Sequence, residues 1–340
     1  MTVSKQIATG FAGLWLTFGL VLAPAAADVL PSSRSAPLAA HSLRVLSYNV
    51  EGLPWPIASA RRDAAAAIAQ SLRDLRDHHS EPQVVAVQEA FGSAQKRIGG
   101  DAGYRYAAFG PARAQAGAGP ANADDRRFRA AATVWRGEGG LRVEDSGLAV
   151  FSDYPIVWAR RVAFPDYACA GWDCLANKGM LAVAVRLPGQ AQPVILVDTH
   201  LNSNAASGTG TSRSFYAYRR QVDALGAFAA ELRATGDPVI LAGDFNVGRD
   251  GSRSSYLARA LLTRDAFGIA AVEDVCGGAC RKLAPQNQPT ADRSKTILAY
   301  GVGPRGSLAP EGATASFGFG TDGRHLSDHI GVERSFAVRS

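Results

Sequence analysis

The sequence predicts an α/β fold, and three observations carry that prediction. Apolar runs of roughly four to eight residues recur along the chain and read as buried strands. Longer segments place their apolar side chains at helical spacing. Several strand-like runs stop abruptly at polar residues, the arrangement that builds a crevice at the strand ends of an α/β sheet. Apolar residues make up 47% of the 340 and charged residues 19%, so a sizeable core can be buried.

The N-terminus reads as a targeting segment. Lys5 precedes a largely apolar run from Ile7 to Leu22, and Ala25-Ala26-Ala27 supply small residues for cleavage before Asp28. Residues 1–27 are therefore expected to be a signal peptide, with the mature chain secreted or periplasmic. No later run of 18 apolar residues follows. Residues 28–42, rich in Pro, Ser and Ala, read as a flexible leader, and residues 43–340 show no repeat or linker and read as one domain. Export makes the four cysteines informative. Cys169 and Cys174 lie five apart and Cys276 and Cys280 four apart, which reads first as two local disulfides. Cross-pairing, or a zinc site built from all four, is the alternative. The formal net charge of +6 suits a polyanionic or anionic-lipid substrate, while no Lys/Arg block is dense enough for a nucleic-acid tail.

Taken in order, Leu43 to Val50 alternates as a strand and delivers Asn49 and Glu51 at its end. Pro54, Trp55 and Pro56 form a stiff loop, and Ser59 is placed to cap a helix with Ala65, Ile68, Leu72 and Leu75 on one face. Its other face, including Arg76, reads as solvated, and His78-His79 close it. Val84 to Val87 is a buried strand ending in Gln88-Glu89. Tyr104 to Phe109 is a further strand candidate. Residues 110–127 read as a long loop, and Ala131 to Trp135 as a strand paired with Gly147 to Ser152, followed by a strand from Ile156 to Phe164. A tight loop from Cys169 to Cys174 carries Trp172 and Asp173 and leads to Asn177-Lys178-Gly179 and a strand from Met180. Val194 to Val197 ends in Asp198-Thr199-His200. A helix over 213–233 places Phe215, Tyr218, Val222, Leu225, Ala229 and Leu232 on one face. Val239 to Ala242 is a buried strand ending at Gly243, with Asp244 and Asn246 beyond it. A helix from Ser254 to Leu262 and strands at 297–302 and 330–338 close the chain.

Taken singly, each polar strand end has an ordinary explanation. Gly-Asp-x-Asn is more often just a turn, because Asp and Asn satisfy turn backbone well. A Glu at a strand end is usually a surface acid, and a single His is usually a hydrogen-bonded structural imidazole. Five such ends, Asn49, Glu89, His200, Asp244 with Asn246, and Ser327-Asp328-His329, are the distribution expected of one site assembled from different strands. The donors are oxygens and imidazoles with no cysteine. That suits Mg²⁺, which keeps several waters and needs only one or two protein oxygens, here Glu89 and Asn49. Phosphodiester hydrolysis by such a site needs an activated water and charge neutralisation at phosphorus.

Together these motifs resemble the endonuclease/exonuclease/phosphatase (deoxyribonuclease I-like) superfamily over about 45–335. The resemblance rests on Tyr48-Asn49-Val50, Gln88-Glu89, Asp198-Thr199-His200-Leu201, Gly243-Asp244-Phe245-Asn246 and Ser327-Asp328-His329. It implies a four-layer α/β/β/α sandwich with two mixed β-sheets and a catalytic domain over 43–340. By position it implies metal ligation by Glu89 with Asn49, and a catalytic set of His200, Asp244, Asn246, Asp328 and His329, in which Asp244 and Asn246 position water and phosphate, His200 serves the phosphate side, and Asp244 or His329 takes the proton. One departure stands out: Lys295 or Thr296 occupies the place where the family often has an acid.

Within the superfamily, Cys174 to Gly179, Gly147 to Ile156 and Thr199 to Asn202 look like the bacterial sphingomyelinase and phospholipase C-like branch. In that setting Lys178 is a substrate-binding candidate beside a phosphate, or else a solvated lysine at a strand start. The expected activity is Mg²⁺-dependent hydrolysis of phospholipid headgroups at a membrane surface by a monomer, with Mn²⁺ or Ca²⁺ as alternative metals. A secreted deoxyribonuclease I-like endonuclease acting on nucleic acid is the alternative.

Overall fold

The structure is a computed structural model that describes residues 28–29, 42–53, 60–248, 250–262, 269–273, 298–301 and 308–338. The signal segment, most of the leader, the Pro54-Trp55-Pro56 loop, Ser59, Cys276 with Cys280, and the Lys295-Thr296 departure lie outside the described residues.

In chain order the strands are β1 (Asp28–Val29), β2 (Ser42–Asn49), β3 (Val84–Gln88), β4 (Tyr106–Phe109), β5 (Ala149–Ser152), β6 (Ile156–Ala163), β7 (Gly179–Val185), β8 (Val194–His200), β9 (Val239–Asp244), β10 (Ile269–Glu273), β11 (Leu298–Gly301), β12 (Leu308–Phe317) and β13 (Gly331–Val338). The helices are α1 (Arg61–Asp77), α2 (Ser93–Asp101), α3 (Ala123–Ala130), α4 (Thr211–Arg233) and α5 (Gly251–Leu262). One sheet has the order β1-β4-β5-β3-β2-β13-β12 and the other β10-β11-β9-β8-β7-β6. Each is mixed, with one parallel pair among the described ladders: β2 with β3, and β8 with β9.

Period-two alternation builds the layers. Leu43, Val45, Val84, Ala86 and Val150 from the first sheet meet Leu181, Val183, Leu196, Ile240 and Ala242 from the second in one buried cluster. The opposite face of the first sheet, with Leu46, Val85, Val87 and Phe151, packs on Ile68 and Leu72 of α1 and Ile98 of α2. On the second sheet, Ala182, Ile195, Val197 and Leu241 pack on Tyr218, Val222, Leu225 and Leu232 of α4. The architecture is the four-layer α/β/β/α sandwich that the family resemblance implies.

Several local expectations change. Residues 131–135 are not a strand: they follow α3 and enter a short 3-10 turn at Val134–Arg136, exposed throughout. The partners of β5 are instead β3 and β4, and the strand after it, β6, belongs to the other sheet. α3 lies in the predicted loop, capped by Asn122, whose side chain accepts from the Asp125 amide at 2.9 Å. With only Asp125 buried, it has no apolar stripe to read. Arg76 is buried rather than solvated. Its Nη1 sits 2.9 Å from Asp153 and its guanidinium lies 4.6 Å from the centre of the Tyr104 ring. The side chains of Arg76 and Asp153 are only 9% and 4% exposed, so neither charge has water to fall back on. Replacing Asp153 by Ala strands a buried guanidinium and should lower unfolding stability by about 3–5 kcal/mol in urea titration. A loss under about 1 kcal/mol would show that Glu81, 3.7 Å away, compensates.

Candidate active site

The site is a continuation of the core. On β2, the face carrying Leu43 and Val45 continues to Ser47 and Asn49; on β3, Val84 and Ala86 lead to Gln88. On β8, Val194 and Leu196 lead to Asp198 and His200; on β9, Ile240 and Ala242 lead to Asp244. The inter-sheet layer is therefore apolar along most of its length and polar at one edge. The two parallel pairs set Asn49 opposite Gln88 and His200 opposite Asp244. Because β13 runs antiparallel to β2, its start brings His329 to the same edge.

Backbone conformation aims the remaining groups. Glu89, Asn246 and Glu51 all have left-handed φ, at 59°, 47° and 49°. Such residues cost about 1 kcal/mol or more each and collect where function requires them. Gly243 has φ 144°, and a Cβ there would lie 2.1 Å from the Thr199 carbonyl oxygen, so no larger residue fits between β8 and β9.

The centre is the Asn49 carboxamide, which donates to Glu89 Oε1 at 2.9 Å and to Asp244 Oδ2 at 3.1 Å. Two imidazoles flank Asp244: its Oδ2 lies 3.6 Å from His200 Nε2 and 3.5 Å from His329 Nε2. His200 Nε2 is also 4.0 Å from Glu89 Oε1. Asn246 donates through its side chain to the Leu201 carbonyl at 2.8 Å and through its backbone to Asp244 Oδ1 at 2.9 Å. Asp328 Oδ1 is 3.6 Å from His329 Nε2, but its side chain is 57% exposed, so its field is more screened than that of buried Asp244. Ser327 Oγ ties the segment down by donating to the Asn49 carbonyl at 2.7 Å.

Lys178 is not solvated. All three ammonium donors are engaged: Asp173 Oδ1 at 2.9 Å, His200 Nε2 at 3.2 Å and the Leu201 carbonyl at 3.2 Å. All eight candidate residues thus gather at one edge of the sandwich.

Other members of the site carried no signal strong enough to assign them. Asp173 is an acid in a loop until the fold sets it on Lys178. Arg253 lies one residue before the predicted helix, yet it is on α5 and fully buried, donating to the carbonyls of Asn202 at 2.5 Å and Asn246 at 3.0 Å. Glu51 accepts from Arg61 at 2.8 Å and from the Asp328 amide at 2.9 Å, fixing the last motif loop. Gln88 donates to Asp198 Oδ1 at 2.7 Å, linking the sheets beneath the site.

Burial raises the pKa of Glu89 above the ordinary carboxylate value, despite the Asn49 hydrogen bond and the nearby His329 and Lys178 charges. A carboxylate held there gains from a cation. A carboxylate is the hard oxygen donor that Mg²⁺ takes, and Asn49 would add a second once its carboxamide turns over, since its N–H groups face Glu89 and Asp244 and its oxygen accepts the Glu51 amide. Among the described residues no group of three or more His, Cys, Asp or Glu forms a cage of the zinc or calcium kind.

A sandwich of two mixed sheets, with acid, amide and imidazole groups converging from the ends of both, is the arrangement of a phosphoester-cleaving enzyme. The chain matches the endonuclease/exonuclease/phosphatase family over residues 46–325, and it belongs to that family of phosphoric ester hydrolases. Among solved structures, beta toxin from Staphylococcus aureus superposes with a TM-score of 0.59 at 19% identity, over 86% of this chain and 99% of that one. SmcL gives a TM-score of 0.57 at 18% identity, over 87% and 99%. Sphingomyelinase C from Streptomyces griseocarneus gives 0.56 at 23% identity, over 86% and 99%. At these identities the likeness is one of fold. No curated protein matches the chain by sequence.

Asp198 is buried with no cationic partner among the described residues, and burial pushes its carboxyl well above the usual range, against the hydrogen bonds from Gln88 and the Thr199 amide. A folded-state pKa above the unfolded value of about 3.9 means that its contribution is most favourable below that pH and is lost as pH rises toward the folded pKa. Asp198→Asn removes this titration. The variant should therefore gain stability relative to the parent as pH rises from about 4 to 8, read by urea unfolding at each pH. A constant difference across that range would refute a proton-bearing Asp198.

Proposed function

We propose that the chain is an exported, Mg²⁺-dependent phosphodiesterase that releases headgroups from phospholipids at a membrane surface. The observation that carries this reading is the buried Asp244 flanked by two imidazoles, with the Glu89 carboxylate held on the other side of the Asn49 amide bridge. Support for export comes from the N-terminal pattern and from the Cys169–Cys174 disulfide, which suits an oxidising compartment. Among the described residues no helix is long and apolar enough to cross a membrane. The proposed layout is a signal peptide at 1–27, a leader at 28–42 and a catalytic domain at 43–340.

In this reading Glu89 and Asn49 hold the ion, which when bound would neutralise phosphoryl charge and favour an ionised water. A solved beta toxin variant contains bound magnesium ions, which supports that choice of metal. Asp244 already receives Asn49 and the Asn246 amide and faces both imidazoles, so its part is to orient and stabilise them. His329 is the base that takes the proton of the attacking water, with its Nε2 3.5 Å from Asp244 and 3.6 Å from Asp328. His200 and Lys178 serve the phosphate side. Lys178 trades its bond to His200 for one to a phosphoryl oxygen as substrate enters, so its charge acts on the developing anion. Asn246 places the loop that receives the phosphate.

The test is product identification with Mg²⁺ on mixed-lipid vesicles and, in parallel, plasmid DNA. Release of a water-soluble phosphorylated headgroup is expected, abolished by chelator and restored by Mg²⁺. Glu89→Ala should reduce it to background, and His200→Ala and His329→Ala should each lower kcat by about 10²-fold or more. Plasmid nicking without headgroup release would replace this reading with a nuclease. Undiminished turnover in Glu89→Ala would remove the metal assignment.

A further inference from the structure

Of the six large apolar side chains most exposed among the described residues, five come from two neighbouring loops. They are Val134, Trp135, Leu141, Val143 and Trp172, with Trp135 89% and Leu141 71% exposed. The loops are held in place rather than splayed by chance. Buried Glu138 accepts from the Thr133 and Gly171 amides at 2.6 and 2.7 Å and from Arg213 Nε at 2.7 Å. The Cys169–Cys174 disulfide closes the second loop, and the Val143 amide donates to the Leu175 carbonyl at 2.8 Å. An exposed Trp on a stapled loop has already met its ordering cost before any partner arrives.

Beside this apolar ridge lies a cleft of about 780 Å³ whose lining includes Arg113, Arg129, Arg142 and Arg213, together with Val134 and Leu141. Arg142 and Arg213 are paired with Asp166 and Glu138. The side chains of Arg113 and Arg129, and of exposed Arg126 and Arg136 nearby, make no close ion pair or hydrogen bond among the described residues, with Arg113 within electrostatic reach of Glu144. Of the acids of the same surface, Asp124 is committed to Arg127 and Asp125 to Arg220, which leaves Glu144 alone beside the four arginines. Positive charge is therefore left over next to projecting Trp, Leu and Val.

We propose that this surface, the 113–143 segment with the disulfide-closed loop, is a docking site for an anionic lipid bilayer. Trp135, Val134 and Leu141 enter the interface, and the unpaired arginines bind lipid phosphates. Nucleic acid would also attract the arginines, but projecting Val and Leu offer a phosphate backbone nothing, whereas they gain from acyl chains. The docking loop also bears on the reaction centre: Asp173, between Trp172 and Cys174, holds Lys178 against His200, and the Trp172 amide donates to the Ser207 carbonyl at 2.9 Å. Seating the loop on a bilayer brings the catalytic edge to its substrate. The inference deepens the phospholipid reading, but its binding step needs no turnover.

The experiment is vesicle flotation of the full exported chain carrying Glu89→Ala, so that the lipid stays intact. Vesicles of phosphatidylcholine alone are compared with vesicles containing phosphatidylglycerol. Trp135→Ala should weaken binding to both by about tenfold. The combined Arg113→Gln, Arg129→Gln, Arg136→Gln variant should weaken binding to the anionic vesicles alone, on the order of 100-fold, and raising salt should mimic it. With Glu89 restored, turnover of a soluble short-chain phosphodiester should be unchanged by either variant. Vesicle binding equal to the parent's, or an arginine effect on a labelled oligonucleotide but not on vesicles, would overturn the proposal. Absence of headgroup release with these binding differences intact would instead count against the catalytic reading alone.

Discussion

One side chain, the carboxamide of Asn49, joins the two halves of this molecule where chemistry is expected. Its two N–H groups go to Glu89 on its own sheet and to Asp244 on the opposite sheet, 195 residues away in sequence. Its oxygen accepts the Glu51 amide at 3.0 Å. Two carboxylates brought this close in a poorly solvated layer repel each other, and a bridging amide meets only part of that cost. The two imidazoles and the buried Lys178–Asp173 pair supply more. What remains is an excess of acceptor character at Glu89, and this is the physical reason to expect a cation there.

The same constraint explains how the rest of the fold serves the site. A sandwich whose inner layer is apolar over most of its length can afford polar groups at one edge, because the apolar remainder holds the sheets together. Parallel pairing within each sheet aligns two strand ends at a time. Gly243 lets β9 pass close to β8, and left-handed Glu89 and Asn246 turn their chains back across the opening.

Much of this was legible in the sequence because alternation and strand-end polarity are local signals. Val84 to Glu89 and Val239 to Asn246 could be read from six or eight residues each, and the long helix α4 from its apolar stripe. Features set by tertiary contact were not legible. Arg76 reads as solvent-facing on its helix and Arg253 stands just before the predicted one, and only packing reveals Asp153, Tyr104 or Tyr218 beside them. The 131–135 stretch has strand-like composition but no partner strand among the described residues, and it is an exposed segment after α3. Lys178 reads in the sequence as either a phosphate-side charge or a solvated strand-start lysine, and its three engaged donors depend on Asp173 and Leu201 arriving from other loops. Family membership follows from the pattern of motifs, whereas likeness in fold at about one-fifth identity says little about substrate.

The central claim is that the edge shared by the two sheets binds a hard divalent cation through Glu89 and Asn49. A crystal grown with Mn²⁺, measured at its absorption edge, tests this most directly. The account predicts an anomalous peak about 2.0–2.2 Å from a Glu89 carboxylate oxygen, with the Asn49 carboxamide turned over so that its oxygen faces the ion and water filling the remaining positions. A peak coordinated elsewhere, or none at this edge under saturating Mn²⁺, would contradict it.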